Sequence, residues 1–380
     1  MDRKTEIALL EELWGLKTAG SAYLDPDISH ADVSDYTDPA RFAAEHARLF
    51  RSRPIAAAHA SELPEPGAFL TRDLFGSPTL LTRDKAGEVH AFLNVCRHRG
   101  ARLVAEDAGC KHSFSCPYHA WTYTNTGALR GIPHQSQGFP GIDKSTHGLV
   151  PLICAERYGL IWVISDPHTT DDIDAWLAPI AADLDWVGMH AMRVQHVDIL
   201  TLRANWKLLI EGGIEAYHFK VAHKDTIAPY FEDNLSSYTV LGPHMRSVLP
   251  RATLGSLRDR PVEEWDIRQD ANLLYTVSPT SQFLVQQDHV AWISLWPVSA
   301  AETHLRLVTV APDTSPVAKD AARHWRQNHA ITCRTLSEDF EIGVGIQDGL
   351  TSGANRHLTF GRYEGALAAF ARIVTRQISD

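Results

Sequence analysis

The amino-acid sequence predicts an α+β protein with two domains: an all-β domain, and an antiparallel β-sheet covered by helices. Short apolar runs separated by turn residues fill residues 41–166. Residues 167–380 alternate strand-like runs with segments whose apolar residues have helical spacing. A chain of 380 residues is long for one domain and comfortable for two. Residues 1–40 are predicted to be a helical segment of the second domain, which makes the all-β domain an insertion.

Strands joined by turns predict the all-β domain. The runs PTLLTR and EVHAFLNV flank a turn at Asp84–Gly87, and AWTYT precedes another at Asn125–Gly127. YGLIWVIS adds a strand near the end of the domain. The loops around Cys96 and Cys116 are expected at one tip.

Helices and strands alternate in the second domain. The sequence predicts a helix over DDIDAWLAPIAADL, a strand over HVDILTL and then a helix that carries His218 and His223. HVAWISLWPV and THLRLVTVAP are predicted strands of the antiparallel sheet. VAKDAARHWRQNHAITCRTL is a predicted long helix, and EGALAAFARIVTRQI a closing amphipathic helix. MDRKTEIALLEELWGL is a predicted short helix that lacks the features of a signal peptide.

Composition narrows the class of protein. The net charge of −10, from 36 basic and 46 acidic residues, argues against a nucleic-acid-binding surface. No apolar run approaches about 18 residues, so no membrane-spanning helix is expected. Of the five cysteines, Cys110, Cys154 and Cys333 are widely spread and are predicted to be buried free thiols in a reducing cytoplasm.

Two pairs of metal-ligating residues carry the first functional signal. Cys96 and His98 form a C-x-H pair, and Cys116 and His119 form a C-x-x-H pair seventeen residues later (116 − 98 − 1). Two thiolates on one iron and two imidazoles on the other make a Rieske [2Fe–2S] cluster. The alternative is a Cys2His2 structural zinc. Zinc sites usually pair cysteine with cysteine and histidine with histidine, whereas each pair here mixes the two.

A second candidate centre lies about a hundred residues later. Glu215, His218 and His223 form the pattern E-x-x-H-x4-H. The two histidines are five apart, so a helix must end or distort between them for both to reach one ion. Two histidines and one carboxylate form the facial triad of non-haem Fe(II) enzymes. On spacing alone, Glu215 is a candidate for that carboxylate.

These motifs, C-x-H-x17-C-x2-H and NWK-x7-E-x2-H-x4-H, resemble those of the α subunit of the Rieske non-haem iron oxygenases, also called ring-hydroxylating oxygenases. The resemblance extends over nearly the whole chain and gives the two domains their names, a Rieske domain over 41–166 and a catalytic domain over 167–380. It implies that Glu215 is an electron bridge, which links His218 to His119 of an adjacent chain in a homotrimer.

The resemblance also implies a third iron ligand in the segment CRTLSEDFEIGVGIQDGL. We assign Asp339, so that His218, His223 and Asp339 hold the mononuclear Fe(II). Glu338 and Glu341 are its rivals, and on spacing alone Asp348 is another. A run of acids on an amphipathic helix is, without the resemblance, more typical of a solvated face.

The implied function is that of a terminal oxygenase component. A flavin or iron–sulfur reductase, fed by NADH or NADPH, would supply electrons, and O2 would be the co-substrate. The product would be a hydroxylated small organic molecule, by mono- or dioxygenation and with or without dealkylation. The pocket is expected in the segment KDTIAPYFEDNLSSYTVLGPH and in Tyr275–Trp296, although the aromatic residues of the latter suit core packing.

Two departures from the family pattern bear on the substrate. Glu215 stands where many aromatic-ring dioxygenases have aspartate, and Gly212 stands where many have asparagine. Glutamate at the bridge resembles the subgroup of carnitine, choline and glycine-betaine oxygenases. An aromatic hydrocarbon and a quaternary amine or ether therefore both stay open as substrates.

Two other functions compete with the oxygenase. One is a Rieske electron-transfer protein whose second domain is inactive, against which the intact E-x-x-H-x4-H pattern argues. The other is a zinc-stabilised binding module without redox activity, which would be colourless when purified.

Overall fold

The computed structural model describes residues 1–315 and 317–379 and divides into two compact units. The all-β unit is Phe50–Trp176, and the sheet-and-helix unit joins Met1–Leu49 to the chain from Leu177 onward. The predicted α+β class is confirmed. The all-β unit begins at residue 50, nine residues after the predicted start at 41 (50 − 41), and ends at residue 176, ten residues after the predicted end at 166 (176 − 166). The domain bounds of the sequence analysis stay predictions.

The strands, in chain order, are β1 (Ser29–Asp32), β2 (Ile55–His59), β3 (Ala68–Leu74), β4 (Ser77–Arg83), β5 (Val89–Leu93), β6 (Ala108–Cys110), β7 (Ser113–Ser115), β8 (Thr122–Thr124), β9 (Leu129–Gly131), β10 (Pro151–Leu152), β11 (Cys154–Arg157), β12 (Leu160–Val163), β13 (Arg193–Leu202), β14 (Ser237–Leu241), β15 (His244–Pro250), β16 (Ala271–Val277), β17 (Ser281–Val285), β18 (Val290–Ser299), β19 (Glu302–Ala311) and β20 (His357–Phe360).

The α-helices are α1 (Arg3–Thr18), α2 (Ser34–Thr37), α3 (Pro39–Glu45), α4 (Gln135–Gly138), α5 (Ile173–Leu177), α6 (Ala181–Val187), α7 (Trp206–Glu211), α8 (Phe219–Ala222), α9 (Ile267–Asp270), α10 (Ala321–Thr351) and α11 (Gly365–Ser379). None of the helices in the described part of the chain is long and apolar enough to cross a bilayer.

Small antiparallel sheets build the all-β unit. Their strand orders are β10-β5-β4-β3-β6, β11-β12-β2 and β7-β8-β9. The predicted hairpin between β4 and β5 forms around Asp84, whose Oδ1 accepts hydrogen bonds from the N–H groups of Ala86 and Glu88. The core includes Phe69, Phe114, Trp121 and Tyr123, and the two buried cysteines Cys96 and Cys116 belong to the same cluster.

One large antiparallel sheet dominates the sheet-and-helix unit, in the order β13-β19-β18-β17-β16-β15-β14. Its central strands are buried on both faces, and Phe283 and Trp292 are core residues, as their strand positions suggested. Helix α10 contacts β13, β19 and α7, and α11 contacts β15. The long helix α10 therefore lies beside the segment that carries the histidines.

The sequence predicted a helix that carries both histidines and ends or distorts between them, whereas in the structure the break comes before them. Helix α7 ends at Glu211, and α8 is one turn, Phe219–Ala222. Gly213 lies in the break, where an added Cβ would stand 2.9 Å from the Leu274 side chain of β16. The missing side chain lets the backbone pass close to the sheet, and the helix ends before the histidines.

The tripeptide NWK has a structural explanation. Asn205 caps α7, because its side chain accepts a hydrogen bond from Lys207 N at 3.0 Å, and its own N–H donates to Gln347 Oε1 of α10 at 2.8 Å. Trp206 Nε1 and Lys207 Nζ donate to the two oxygens of Glu45, at 2.9 and 2.6 Å. The start of α7 is thus fixed to both α10 and α3.

Glu45→Ala should destabilise the sheet-and-helix unit strongly. Glu45 and Lys207 are buried, so the substitution leaves an unpaired charge in the core, which costs about 3–5 kcal/mol. The control is Asp233→Ala, which removes the exposed pair with Lys220 and should cost about 1 kcal/mol or less. Urea unfolding followed by circular dichroism measures both. Equal losses in the two variants would show that the buried pair does not hold α7.

Candidate metal centres

Two matching loops of the all-β unit carry Cys96 and Cys116. In the first, Cys96 N donates to the carbonyl of Ala101 at 2.8 Å, and Gly100 N donates to the carbonyl of Cys96 at 3.0 Å. The loop at Cys116 repeats both hydrogen bonds, at 2.8 and 2.9 Å. The fifth residue of each loop has a positive φ, +78° at Gly100 and +57° at Ala120. Glycine adopts this conformation without strain at the first position, whereas alanine adopts it at the second.

The four predicted cluster ligands lie close together, with the cysteines buried and the histidines nearer the protein surface. Cys96 and Cys116 are 2% and 4% exposed, whereas His98 is half-buried and His119 is exposed. The two imidazole ring centres lie 4.7 Å apart, and the ring of His98 stacks on Trp121.

This donor set suits a Rieske cluster, which needs two thiolates on one iron and two imidazoles on the other. Tyr123 supports the inner side, because its hydroxyl lies 3.4 Å from Cys96 Sγ and accepts a hydrogen bond from Arg97 N. Burial raises the pKa of the Cys96 thiol, so a bound metal would have to displace its proton.

His218 and His223 stand at the two ends of α8, and this single turn brings their rings together. Their Nε2 atoms are 3.2 Å apart. Asp339, which projects from α10, places Oδ1 at 3.3 Å from His218 Nε2 and at 3.0 Å from His223 Nε2. Donors about 2.1 Å from one ion and at right angles to one another lie about 3.0 Å apart. The three atoms therefore fit one face of an octahedral metal ion.

Carboxylates hold the other nitrogen of each imidazole. His218 Nδ1 donates to Glu215 Oε1, and His223 Nδ1 donates to Glu338 Oε2 at 2.7 Å. Thr226 Oγ1 in turn donates to Glu338 at 2.6 Å. Since a carboxylate only accepts, the protons are placed on Nδ1 and the Nε2 lone pairs face the ion, which is the usual arrangement around a metal-bound histidine.

The acids named as rivals of Asp339 are placed elsewhere. Glu341 and Asp348 are exposed on α10, and Glu338 binds Nδ1 of His223 rather than facing the three donor atoms. Glu215 likewise binds His218 and the backbone N–H of Tyr217. Among the predicted acids, the geometry therefore favours Asp339 as the ligand. The role of Glu338 was missed, because a hydrogen bond to a residue 115 positions away leaves no local signal.

The charges of the site support one another. Burial alone would lower the pKa of His218, but hydrogen bonds with Asp339 and Glu215 outweigh it and raise the pKa to about 9. Burial alone would raise the pKa of Asp339, yet its hydrogen bonds with His218 and His223 hold that pKa below its usual value. Without a metal, the site balances its charge with a proton.

Two cavities touch Asp339 and Gly212. The larger, about 500 Å³, is lined by Glu211, Glu215 and Glu364 and by apolar residues of α10. The smaller, about 70 Å³, is a mostly apolar chamber against the large sheet. Its lining includes Phe219, Phe231, Asn272, Gln282, Leu284 and Phe340.

A vestibule of about 180 Å³ shares Phe231, Asn272 and Leu284 with this chamber and adds Arg251. Part of both predicted pocket segments lines the chamber. Glu232 and Asp233 do not line the chamber, and they form ion pairs with Lys17 and Lys220 instead.

Comparison with known families fits this geometry. Residues 183–380 match the profile described as ring hydroxylating alpha subunit (catalytic domain), and residues 53–152 match that of the Rieske [2Fe-2S] domain. The chain belongs to the ring-hydroxylating α-subunit family. The family prediction is confirmed, and the Rieske match argues against a structural zinc at the four cluster ligands.

Curated relatives cover several substrates. The chain is 34% identical over 203 residues to the glycine betaine monooxygenase oxygenase subunit of Chromohalobacter salexigens, with 52% of this chain and 44% of that protein covered. It is 31% identical over 198 residues to the anthranilate 1,2-dioxygenase large subunit of Acinetobacter baylyi, with 51% and 42% covered. The carnitine monooxygenase oxygenase subunit of Acinetobacter pittii is 30% identical over 202 residues, with 53% of each covered. The chain spans about half the length of these relatives.

Solved structures share the fold. The quaternary ammonium Rieske monooxygenase CntA in complex with L-carnitine superposes with a TM-score of 0.78 at 22% identity, covering 93% of this chain and 97% of that one. Naphthalene 1,2-dioxygenase from Rhodococcus sp. bound to indole gives 0.75 at 20% identity, with 98% of both chains covered. At these identities the likeness establishes the architecture.

Asp339→Ala should abolish binding of the mononuclear iron and leave the acid-labile sulfide of the all-β unit unchanged. Glu338→Ala removes the acceptor of hydrogen bonds from His223 and Thr226 but no donor atom facing the ion, and it should weaken iron binding by about 10–100-fold. Glu341→Ala, an exposed residue on the same helix, is the control and should retain the iron. Iron and sulfide assays after dialysis give the answer. If Glu341→Ala loses iron and Asp339→Ala keeps it, the assigned ligand is wrong.

Proposed function

We propose that this chain is the terminal oxygenase component of a Rieske non-haem iron oxygenase, which hydroxylates a small organic substrate. The observation that carries the proposal is the triangle of His218 Nε2, His223 Nε2 and Asp339 Oδ1, with sides of 3.2, 3.3 and 3.0 Å. When bound, Fe(II) would activate O2 with electrons supplied by the [2Fe–2S] cluster. A chain whose second domain had become inactive would not be expected to keep this donor set, which argues against the electron-transfer alternative.

The residues around these three donor atoms favour the binding of a divalent ion. Glu215 and Glu338 accept the Nδ1 protons of the two histidines, which orients both rings and increases their basicity. Asp339 is largely buried and supplies the negative charge. Glu215 also lines the larger cavity, where we propose that it acts as an electron bridge toward a neighbouring chain of a homotrimer.

The chamber and vestibule suggest the chemical class of the substrate. Phe219, Phe231 and Phe340 form apolar walls that suit an aromatic ring or a methylated ammonium. The guanidinium of Arg251 donates to Asn272 Oδ1 at 2.6 and 3.2 Å, so its direct hydrogen-bond partner is a neutral amide, and it places a positive charge at the vestibule. We infer a substrate with an apolar or methylated body and an anionic end that faces Arg251.

The compounds after which three relatives are named have the features of such a substrate. Glycine betaine, carnitine and anthranilate each carry a carboxylate. Their bodies differ, since two are quaternary amines and one is an aromatic ring. We therefore propose a carboxylate-bearing substrate and keep both kinds of body as candidates.

The reaction requires partners outside this chain. We propose a flavin or iron–sulfur reductase that draws electrons from NADH or NADPH, and a cytoplasmic location. The location is supported by the free state of all five cysteines, two of which the cluster needs as thiolates.

Hydroxylation by the reduced chain tests the proposal. The protein is reduced with dithionite, freed of reductant, and mixed with ¹⁸O2 and glycine betaine, carnitine or anthranilate. A product that carries ¹⁸O in the wild type, and none in Asp339→Ala, is the expected result. A reduced cluster that reoxidises without product from any of these substrates would favour an electron carrier.

Glu215→Gln should retain both metals and slow oxidation of the reduced cluster in the presence of substrate by about 10–100-fold, because the histidine loses a charged acceptor. The control is Glu364→Gln in the same cavity, where the carboxylate binds Gly361 N instead of an imidazole. Stopped-flow absorbance follows the cluster. Unchanged oxidation in Glu215→Gln would contradict the bridge.

Arg251→Met should raise KM for a carboxylate substrate by about 10–100-fold, since a hydrogen bond to a charged group contributes about 1.5–3 kcal/mol. The methyl ester of the same substrate should show little change, and Arg251→Lys should restore part of the loss. Steady-state kinetics on the acid and the ester make the comparison. Equal effects on both compounds would place the anionic end elsewhere.

A further inference from the structure

We propose that Asp198, His329 and Cys333 form a second metal site, of the kind that binds Zn²⁺, separate from the iron centre. His329 and Cys333 are four residues apart on α10 and share one helix face, and Asp198 lies on the adjacent strand β13. His329 precedes Asp339 by ten residues on the same helix, or about 15 Å along its axis. The proposal is independent of the oxygenase function.

The three donor atoms lie close enough together to share one ion. Asp198 Oδ2 lies 3.4 Å from His329 Nε2 and 3.3 Å from Cys333 Sγ, and all three atoms are within 4.8 Å of one another. Donors about 2.0–2.3 Å from an ion at tetrahedral angles lie about 3.3–3.6 Å apart. Nitrogen, oxygen and sulfur at this spacing suit tetrahedral zinc.

His329 points to a missing ligand. The residue is only 8% exposed, and its Nδ1 lies 2.8 Å from Thr309 Oγ1, a buried hydroxyl that can accept the ring proton. Within the described residues, the buried Nε2 atom has no hydrogen-bond partner. Leaving such an atom unpaired costs about 1–3 kcal/mol. A cation at the centre of the three donors would take the Nε2 lone pair.

Charge and protonation are consistent with a divalent ion. In the metal-free protein the Cys333 thiol donates to the Asp198 carboxylate at 3.3 Å. On binding Zn²⁺ the Sγ–H bond would break, its proton would pass to solvent and a Zn–S bond would form without any change of oxidation state. The thiolate and the Asp198 carboxylate together balance two positive charges.

His196 is placed to complete the site. It precedes Asp198 by two residues on β13 and so shares its face, and its ring centre lies 5.4 Å from that of His329. A fourth ligand at this point would come from His196 or from solvent, since this side of β13 is open.

Cobalt titration of the full-length chain, with its Rieske cluster in place, tests the site. Co²⁺ should produce a thiolate-to-cobalt charge-transfer band in the difference spectrum, and Zn²⁺ should abolish it. Cys333→Ser and Asp198→Asn should each weaken Co²⁺ binding by about 100-fold or more. Both positions are at least partly exposed, so the variants should fold, which thermal melting verifies.

Two controls separate this site from others. Cys110→Ser removes an exposed thiol of the all-β unit and should leave the band unchanged, as should Asp339→Ala, which empties the iron centre. No thiolate band in the folded wild type, or equal Co²⁺ affinity in Cys333→Ser, would overturn the proposal. Either result would mean that His329 and Asp198 only contact each other and do not bind a metal.

Discussion

The candidate iron centre depends on one packing contact, between α10 and the segment that begins at α7. Asp339 lies 116 residues after His223 (339 − 223), yet its carboxylate stands 3.0 Å from the histidine. The hydrogen bond between Asn205 and Gln347 fixes the start of α7 to α10, and Glu45 ties the same point to α3. Because a shift of about 1 Å spoils a metal site, these buried polar contacts set the precision of the centre.

Three clusters of candidate metal ligands among the described residues differ in burial, donor atoms and hydrogen-bond partners. The cluster loops bury sulfur and expose imidazole, which suits a centre that exchanges electrons at the surface. The three donors of the candidate iron centre are about 3.0–3.3 Å apart, which fits an octahedral ion, and each histidine has a carboxylate behind it. At His329 a thiol joins the nitrogen and oxygen donors, and a threonine hydroxyl replaces the carboxylate behind the histidine. Donor type and outer hydrogen bonds together distinguish the sites.

Local patterns predicted much of this from the sequence, and distant contacts explain the rest. The strands flanking Asp84–Gly87 and the helix over residues 365–379 follow from period and turn chemistry. The paired cysteines and histidines follow from spacing. Asp339 came only from the resemblance, because nothing local separates it from Glu338 and Glu341. The break in the histidine-bearing helix was predicted between the histidines but lies before them, where Gly213 approaches Leu274, and such a tertiary contact leaves no local signal.

The central claim is that one chain holds both a Rieske cluster and a mononuclear iron. Iron and acid-labile sulfide per chain on anaerobically purified protein, with an EPR spectrum after dithionite reduction, test it most directly. We expect about three irons and two sulfides per chain, with a Rieske-type signal in the EPR spectrum. Zinc without sulfide at Cys96 and Cys116, or two irons that do not rise to three when Fe(II) is added, would contradict it.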